Sequence, residues 1–449
     1  MPVDPENRCL LSSAGVVICL KCDPQEILRR IENGPDRPML QGRPHPAQPV
    51  IELLQERERA YRVFPFQLDT THLSVESVAG RVLAVANGRT ESARFLSVNL
   101  PDGGGYTVSV GSGTCELLGE MLRDRGLTSA VAVVTDANLE SLYLHRVVNS
   151  LESAGFKPFS CIIPAGEASK SLAQLTKLYD AFLERGLDRR GAVVALGGGV
   201  IGDLAGYAAA TFMRGVAFVQ CPTTLLAMID SGLGGKTGIN LPQGKNLVGA
   251  FKNPMVVGAD IQTLSTLPKS EIQTGMAELI KHAVIGDAEL FEILEDSRGR
   301  ALLTPDFVTR SLAVKARVVE QDPFESGPRE ILNFGHTIGH AVERCSLYSL
   351  SHGKAVSIGM VAAAVISHRL GICKSRVSER LQALLTRNKL PIRHNLDSEQ
   401  VIAAMASDKK AIGGKTRFVL IEDIGSVHHG CEVAPALLRQ VLDEMKSDR

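Results

Sequence analysis

Residues 191–212 read GAVVALGGGVIGDLAGYAAATF. An unbroken apolar run, Ala192 to Leu196, stops at three glycines and is followed by small residues at helix-compatible spacing. This is a strand, a glycine turn and a helix. A run with no polar alternation belongs to a strand covered on both faces, which means a parallel sheet between helices. Gly197, Gly199 and Gly202 fit GxGxxG, whose glycines let backbone N–H groups approach a pyrophosphate at the helix start. The dinucleotide fingerprint is incomplete, because about 20 residues on stands Pro222-Thr223-Thr224 instead of an acidic residue ending a strand. A glycine turn that merely packs strand on helix is the competing reading.

Outward from this stretch the same pattern repeats. AVAVVTDAN (130–138), VAFVQCPTT (216–224) and PMVVGAD (254–260) are further apolar strands ending in turn residues. From about residue 266 helical periodicity dominates, in EIQTGMAELIKHAVI, DFVTRSLAVKARVVEQD, NFGHTIGHAVERC, GKAVSIGMVAAAVISHRLG and VSERLQALLTRN. The fold class is therefore an α/β domain followed by an α-helical domain. We expect an N-terminal piece at 1–84, a linker at 85–97, the α/β domain at 98–265 and the helical domain at 266–449.

Composition excludes several functions. In 449 residues, 49 Lys plus Arg balance 49 Asp plus Glu, which removes the electrostatic basis for nucleic-acid binding or a polybasic membrane anchor. Aromatics are 4% with no Trp, so a base-stacking platform is not expected. The longest mostly apolar run, Ala355 to Ile366, is shorter than the roughly 18 residues of a membrane span, and MPVDPENRC is not a secretory signal. Nine scattered Cys do not form a secreted disulfide framework, so a cytoplasmic protein is expected. Cys19 and Cys22 have CxxC spacing, but without a second pair they read as small apolar core residues.

Gly234-Gly235-Lys236-Thr237 and Gly413-Gly414-Lys415-Thr416 mimic a phosphate-binding P-loop. Its first glycine is replaced by Asp230 in one and by Lys409 in the other, so neither is one. His336 and His340, four apart, share one helix face. His352 follows in SHGKAV, and Glu278 and Lys281 lie three apart in GMAELIK. A Glu with two His is a catalytic zinc set. A satisfied helix pair is the alternative, and His282, four after Glu278, is a competing ligand. Lys236, Lys245, Lys281, Lys315 and Arg329 sit beside Gly, Asn or His. Cations converging on a metal would suit a substrate carrying carboxylate and phosphate.

From about residue 98 onward the chain resembles the 3-dehydroquinate synthase family. The resemblance rests on AGEASKS, ALGGGVIGDLAGYAAATFMRG, QCPTTLLAMIDSGLGGKTGIN, GKNLVGAF, TLSTLP, GMAELIK, REILNFGHTIGHAVE, SHGKAVSIGM and DKKAIGGKTRFVL, in that order. It implies an NAD-binding α/β domain, a helical domain, a metal site in the cleft between them, and a homodimer. It implies Glu278, His336 and His352 as ligands of zinc or cobalt. It assigns NAD to Asp136, Glu167 to Lys170, Gly199, Asp203, Thr223, Thr224, Lys245, Thr263 and Thr266. It assigns the substrate, 3-deoxy-arabino-heptulosonate 7-phosphate, to Asp230, Lys236, Asn246, Lys281, Lys315, Arg329, Asn333 and His340, with Lys409 or Lys410 in addition. The implied reaction is oxidation by NAD, phosphate elimination, re-reduction and aldol closure, with His340 in the proton relay. Other sugar-phosphate cyclases and metal-dependent alcohol or glycerol dehydrogenases are the rivals. The chain departs from the family at Lys354, where Glu is usual, at Gly232, where Ser is usual, and at His282, where Tyr is frequent. We expect Lys354 to point outward.

Residues 1–84 resemble the C-terminal half of shikimate kinase, through DPENR, GVVICLKC, DRPML, ERERAY and LDTTHLS. Arg37 would match the lid arginine and Arg57 the one that holds the shikimate carboxylate. The P-loop and the central strand would precede Met1. A P-loop kinase without that loop cannot cradle nucleotide phosphates, so we expect no kinase activity and a start inside a kinase–synthase fusion.

Overall fold

A computed structural model of the chain describes residues 94–447 except 102–104, 124, 128, 297–302, 326 and 407–415, together with 17–32, 66–71 and isolated positions before 94. Arg37 and both Lys409 and Lys410 lie outside the described residues.

In the N-terminal piece, β1 (Ile18–Lys21) and β2 (Phe66–Asp69) pair in parallel, and α1 (Pro24–Glu32) follows β1. Asp23 accepts the Gln25 amide at 2.8 Å, and Arg30 on α1 donates to the Thr70 carbonyl at 2.8 Å, tying the helix to the end of β2. Cys19 and Cys22 are half-buried and in no disulfide, which makes them less enclosed than core residues.

Next come β3 (Arg94–Asn99), β4 (Gly105–Gly111), α2 (Leu118–Arg123), β5 (Ala130–Asp136), α3 (His145–Ser153) and β6 (Lys157–Ile163). They are followed by α4 (Leu172–Glu184), β7 (Ala192–Gly197), α5 (Gly199–Thr211), β8 (Ala217–Pro222), β9 (Lys236–Leu241), β10 (Gly244–Phe251) and β11 (Val256–Asp260). Seven strands form one sheet in the order β3-β4-β11-β8-β7-β5-β6, parallel throughout except for β3 at the edge. The expected linker thus ends early, because Arg94–Ser97 already pair with β4.

Alternation explains the apolar strands. Val131 and Val133 of β5, with Ala192, Val194 and Leu196 of β7, pack against Leu118, Leu122, Val147 and Leu151 of α2 and α3. Ala132, Val134, Val193 and Ala195 face Leu175, Leu178, Ile201 and Leu204 of α4 and α5. Both faces of the sheet are therefore core, and each fully buried Val or Leu contributes roughly 1.5–3 kcal/mol. The connections leaving β5 and β6 run to opposite sides of β5, so the carboxyl ends of β5 and β7 flank a switch point.

The helical part comprises α6 (Lys269–Gly286), α7 (Ala288–Asp296), α8 (Pro305–Gln321), α9 (His336–Cys345), α10 (His352–Arg369), α11 (Ser375–Arg387), α12 (Ser398–Ala406), a hairpin β12 (Phe418–Asp423) and β13 (Ser426–Cys431), and α13 (Pro435–Glu444). No periodicity announced the hairpin or its counterpart β9–β10. The chain divides into two compact units, Met1–Pro222 with Gly235–Gln262, and Thr223–Gly234 with Thr263–Arg449. The expected boundary at 265/266 is close to this. It misassigns Thr223–Gly234, however, which contribute Asp230 to the helical unit.

Asp287 ends α6 and starts α7. Its carboxylate accepts the Leu290 amide at 2.9 Å and the Arg310 guanidinium of α8 at 2.6 and 2.8 Å. Burial favours the neutral acid, but Arg310 and the amide outweigh it and hold the Asp287 pKa below its usual value. The sign follows: this contribution is complete above the unfolded carboxylate pKa of about 3.9 and is lost as pH falls through the folded value. Asp287→Asn keeps the cap and loses the ion pair. It should destabilise by about 1 kcal/mol at pH 7, after discounting for the partly exposed Arg310. The gap in melting temperature from wild type should close in strong acid. An equal gap at every pH would remove the ion pair from this role.

Candidate active site

The first turn of α9 begins at Gly335, whose φ of 77° is left-handed, and α9 crosses α10 at backbone contact. Gly339 lies against α10 so closely that a Cβ would stand 3.0 Å from the Val356 Cα, and one at Gly359 would run into the Gly335 carbonyl. Only glycine permits this approach. It sets His336 and His340 of α9 beside His352, the first residue of α10. The ring centroids are 5.2 Å apart for His336–His340, 5.3 Å for His336–His352 and 6.0 Å for His340–His352.

Glu278 rises from the buried middle of α6 with no exposure. Its Oε1 lies 3.4 Å from His336 Nε2 and 3.2 Å from His352 Nε2, and Lys281 Nζ is ion-paired with its Oε2. The donor atoms of Glu278, His336 and His352 all fall within 4.8 Å of one another. One carboxylate and two imidazoles on rigid helices are the donor set of a catalytic zinc or cobalt site. Burial opposes the Glu278 charge, but Lys281 and the two histidines outweigh it and hold its pKa well below the carboxylate range. Burial likewise opposes the Lys281 charge, but Glu278 and Asp230 raise its pKa. The pair is ionised.

The two histidines differ. Burial pushes His336 well below its usual pKa, and its Nδ1 lies 3.1 Å from the Phe334 carbonyl. A carbonyl only accepts, so Nδ1 carries the proton and Nε2 presents a lone pair. Burial works against a charge on His352 as well, but Glu278 and Glu343 overcome it and the pKa is pushed up to about 10.

Beside this set lies a second pair of charges. Lys315 of α8 donates to the Asp230 carbonyl at 2.7 Å and to its carboxylate at 2.5 Å. Burial opposes the Asp230 charge, yet Lys315 and Lys281 hold its pKa far below the usual range. Asp230, Glu278 and His282 also cluster within 4.8 Å. Lys281 and Lys315 are ion-paired with the two carboxylates of this group. His282 instead bonds Ser311 Oγ through Nδ1 at 2.9 Å, and burial lowers its pKa to about 3. Arg329, buried, donates to the Pro323 and Gly234 carbonyls at 2.5 and 3.2 Å, and Asn333 donates to Glu325 at 3.4 Å. Lys354 is partly exposed.

In the sheet unit, Asp136 ends β5 and accepts the Asn138 amide at 2.8 Å, while Gly199 opens the 13-residue α5 at the end of β7. A long helix N-terminus with a bare glycine backbone at a switch point fits a dinucleotide pyrophosphate. Lys170, buried, bonds both Asp203 and Asn246. Asn240 joins them, donating to Glu167 at 2.7 Å and accepting the Asn246 amide at 2.9 Å. Asn246 was assigned to substrate, but its side chain stands with residues assigned to NAD. Lys236 and Lys245 are exposed on β9 and β10. Among the threonines of the helical unit, Thr263 donates to the Thr223 carbonyl at 3.2 Å, Thr266 to the Thr263 carbonyl at 3.1 Å, and Thr224 accepts the Ala227 amide at 3.1 Å. Sequence reading missed Asn240, Ser311 and Glu343. Only Glu343 had a signal, seven residues after His336 on the same face.

A parallel sheet with a glycine-turn helix and a helical body carrying Glu, His and His define a nucleotide- and metal-dependent enzyme. The family model for 3-dehydroquinate synthase matches in two parts, N-terminal at residues 160–274 and C-terminal at 275–411, and the shikimate kinase model matches residues 1–87. The chain is 46% identical over 361 residues to the 3-dehydroquinate synthase of Nostoc punctiforme, covering 78% of this chain and 99% of that one. The solved 2-epi-5-epi-valiolone synthase of Streptomyces hygroscopicus, with NAD+ and Zn2+ bound, is 29% identical with a TM-score of 0.69, covering 76% of this chain and 96% of its own. A 2-deoxy-scyllo-inosose synthase complexed with carbaglucose-6-phosphate, NAD+ and Co2+ is 27% identical with a TM-score of 0.71, covering 78% and 100%. The chain belongs to the 3-dehydroquinate synthase family.

The helix crossing gives a direct test. Gly359→Ala should force α9 from α10, costing about 1–3 kcal/mol and lowering zinc uptake measured by atomic absorption. Wild-type zinc content and melting temperature in this variant would show that the contact does not hold the site.

Proposed function

We propose that the chain is a phosphate-eliminating carbon–oxygen lyase that converts 3-deoxy-arabino-heptulosonate 7-phosphate to 3-dehydroquinate. The observation that carries this reading is the Glu278, His336 and His352 set standing beside the buried Lys281 and Lys315–Asp230 charges, in a chain of this family. Glu278, His336 and His352 would hold zinc or cobalt, which would supply Lewis acidity toward a substrate hydroxyl. Asp136, Glu167, Lys170, Gly199, Asp203, Thr223, Thr224, Lys245, Thr263 and Thr266 would hold NAD, which would supply a hydride acceptor and then return the hydride.

The chain's own residues supply position and charge. Lys281 is fixed by Glu278, and Lys315 by Asp230. Their ammoniums stay in place in a water-poor setting, where fixed charges act most strongly on an anionic substrate. Arg329, held by two carbonyls, keeps a full guanidinium charge suited to carboxylate or phosphate. Asn333, Lys236 and Asn246 complete the substrate set by motif, and the position of Asn246 beside Lys170 makes it a contact to either ligand. His340, set by its neighbours on the α9–α10 crossing, is our choice for proton transfer.

One incubation with zinc, NAD and substrate tests the reading. Phosphate and dehydroquinate should rise together with no accumulation of NADH. Phosphate without dehydroquinate would point to a different cyclisation, and NADH without phosphate to a dehydrogenase. His340→Ala should lower turnover by about 100-fold or more, and undiminished turnover would refute its role.

The reading extends to a homodimer in the cytoplasm, supported by the family resemblance and by the free state of the described cysteines. Among the described residues no helix is long and apolar enough to cross a membrane. The N-terminal piece belongs with a kinase family, but the chain carries no GxxxxGK[ST] stretch. Incubated with shikimate and ATP it should form no ADP above background, and shikimate-dependent ADP would overturn that expectation.

A further inference from the structure

His352 is the one member of the donor set whose ring is bracketed by two carboxylates. Its Nε2 faces Glu278 Oε1 at 3.2 Å, and its Nδ1 faces Glu343 Oε2 at 3.4 Å. Glu343 lies on α9, three residues after His340 and seven after His336, so one helical stripe carries all three. Its side chain is 13% exposed, and that of His352 is 28% exposed. We infer that Glu343 is the positioning residue for His352: its carboxylate takes the Nδ1–H, fixes the tautomer and aims Nε2 at the metal. The inference rests on the reading of Glu278, His336 and His352 as metal ligands.

The chemistry separates the two histidines. The Nδ1–H of His336 is taken by the neutral carbonyl of Phe334, which belongs to the turn leading into α9. The Nδ1–H of His352 is taken by a charged group on a different helix. A carboxylate acceptor makes an imidazole a more basic ligand than a carbonyl does, and such partners are worth about 10–100-fold in metal affinity. Glu343 also ties the loop-proximal start of α10 to α9. Its removal would free the His352 ring to rotate while leaving the glycine crossing at Gly339 and Gly359 intact.

The test uses Co(II) as a spectroscopic probe on the full chain, with wild type, Glu343→Gln and Glu343→Asp compared. Glu343→Gln preserves shape, and its amide oxygen accepts a weaker bond. It should weaken Co(II) binding about 10-fold or more in a chelator competition and shift the visible ligand-field bands, with the metal-free melting temperature close to wild type. Glu343→Asp should recover part of the affinity. A Glu343→Gln chain that binds Co(II) as wild type does, with the same bands, would overturn the inference. Should Glu343→Gln lower the metal-free melting temperature with unchanged bands and affinity, its role is packing and the inference also fails. Wild type that takes up no Co(II), matching a Glu278→Ala control, would overturn the underlying metal reading instead.

Discussion

A carboxylate with no exposure to water organises the helical unit. Glu278 would be very costly as an isolated charge, and in such a site it would simply take up a proton. It stays charged because Lys281, one turn along the same helix, and the His352 imidazole from another helix stand against it. The arrangement requires α6, α9 and α10 to meet within a few ångströms. Lys281 in turn lies close enough to Asp230 to lower its pKa, and Asp230 bonds Lys315 on α8. A chain of alternating charges therefore runs through four elements, and removing any one would leave a neighbour buried without compensation.

The scaffolding for this chain is mostly uncharged. Glycines at 335, 339 and 359 let two helices touch at backbone distance. Asp287 serves at once as the end of α6, the cap of α7 and the partner of Arg310 on α8. In the sheet unit the same economy appears at Asp260. Its buried carboxylate accepts the amides of Gly113, Cys115 and Gln262 at 3.2, 3.2 and 3.0 Å, closing the start of one connection at the end of β11.

Much of this was legible in the residues. Continuous apolar strands announced a sheet buried on both faces, because alternation fails only when neither side meets water. The spacing of His336 and His340 placed them on one helix face, and the helix delivers them so. Ranking Glu278 with two histidines required the family resemblance, since nothing local says that residue 278 meets residue 352. The hairpins were illegible: β10 has exposed polar residues and opens its pairing on a glycine, and β12–β13 is too short for a period to emerge. The linker was drawn too long because Arg94–Ser97 pair only with a strand that comes later in the chain. Glu343 was passed over for a similar reason. Its role depends on His352, which no helical period connects to it.

The interleaving of the two units bears on how the molecule comes apart. Residues 223–234 leave the sheet unit's sequence to join the helical one, and the chain then goes back for β9 to β11 before leaving again at residue 263. A cut near residue 265 would look like a clean separation of two modules. It would strand Asp230 on the first half and Lys315 on the second, each with a charge and no counter-ion. The two halves are thus spliced rather than strung together. Gene fission, domain exchange or a proteolytic nick at that point would divide an ion pair, where a simple tandem arrangement would divide only a loop.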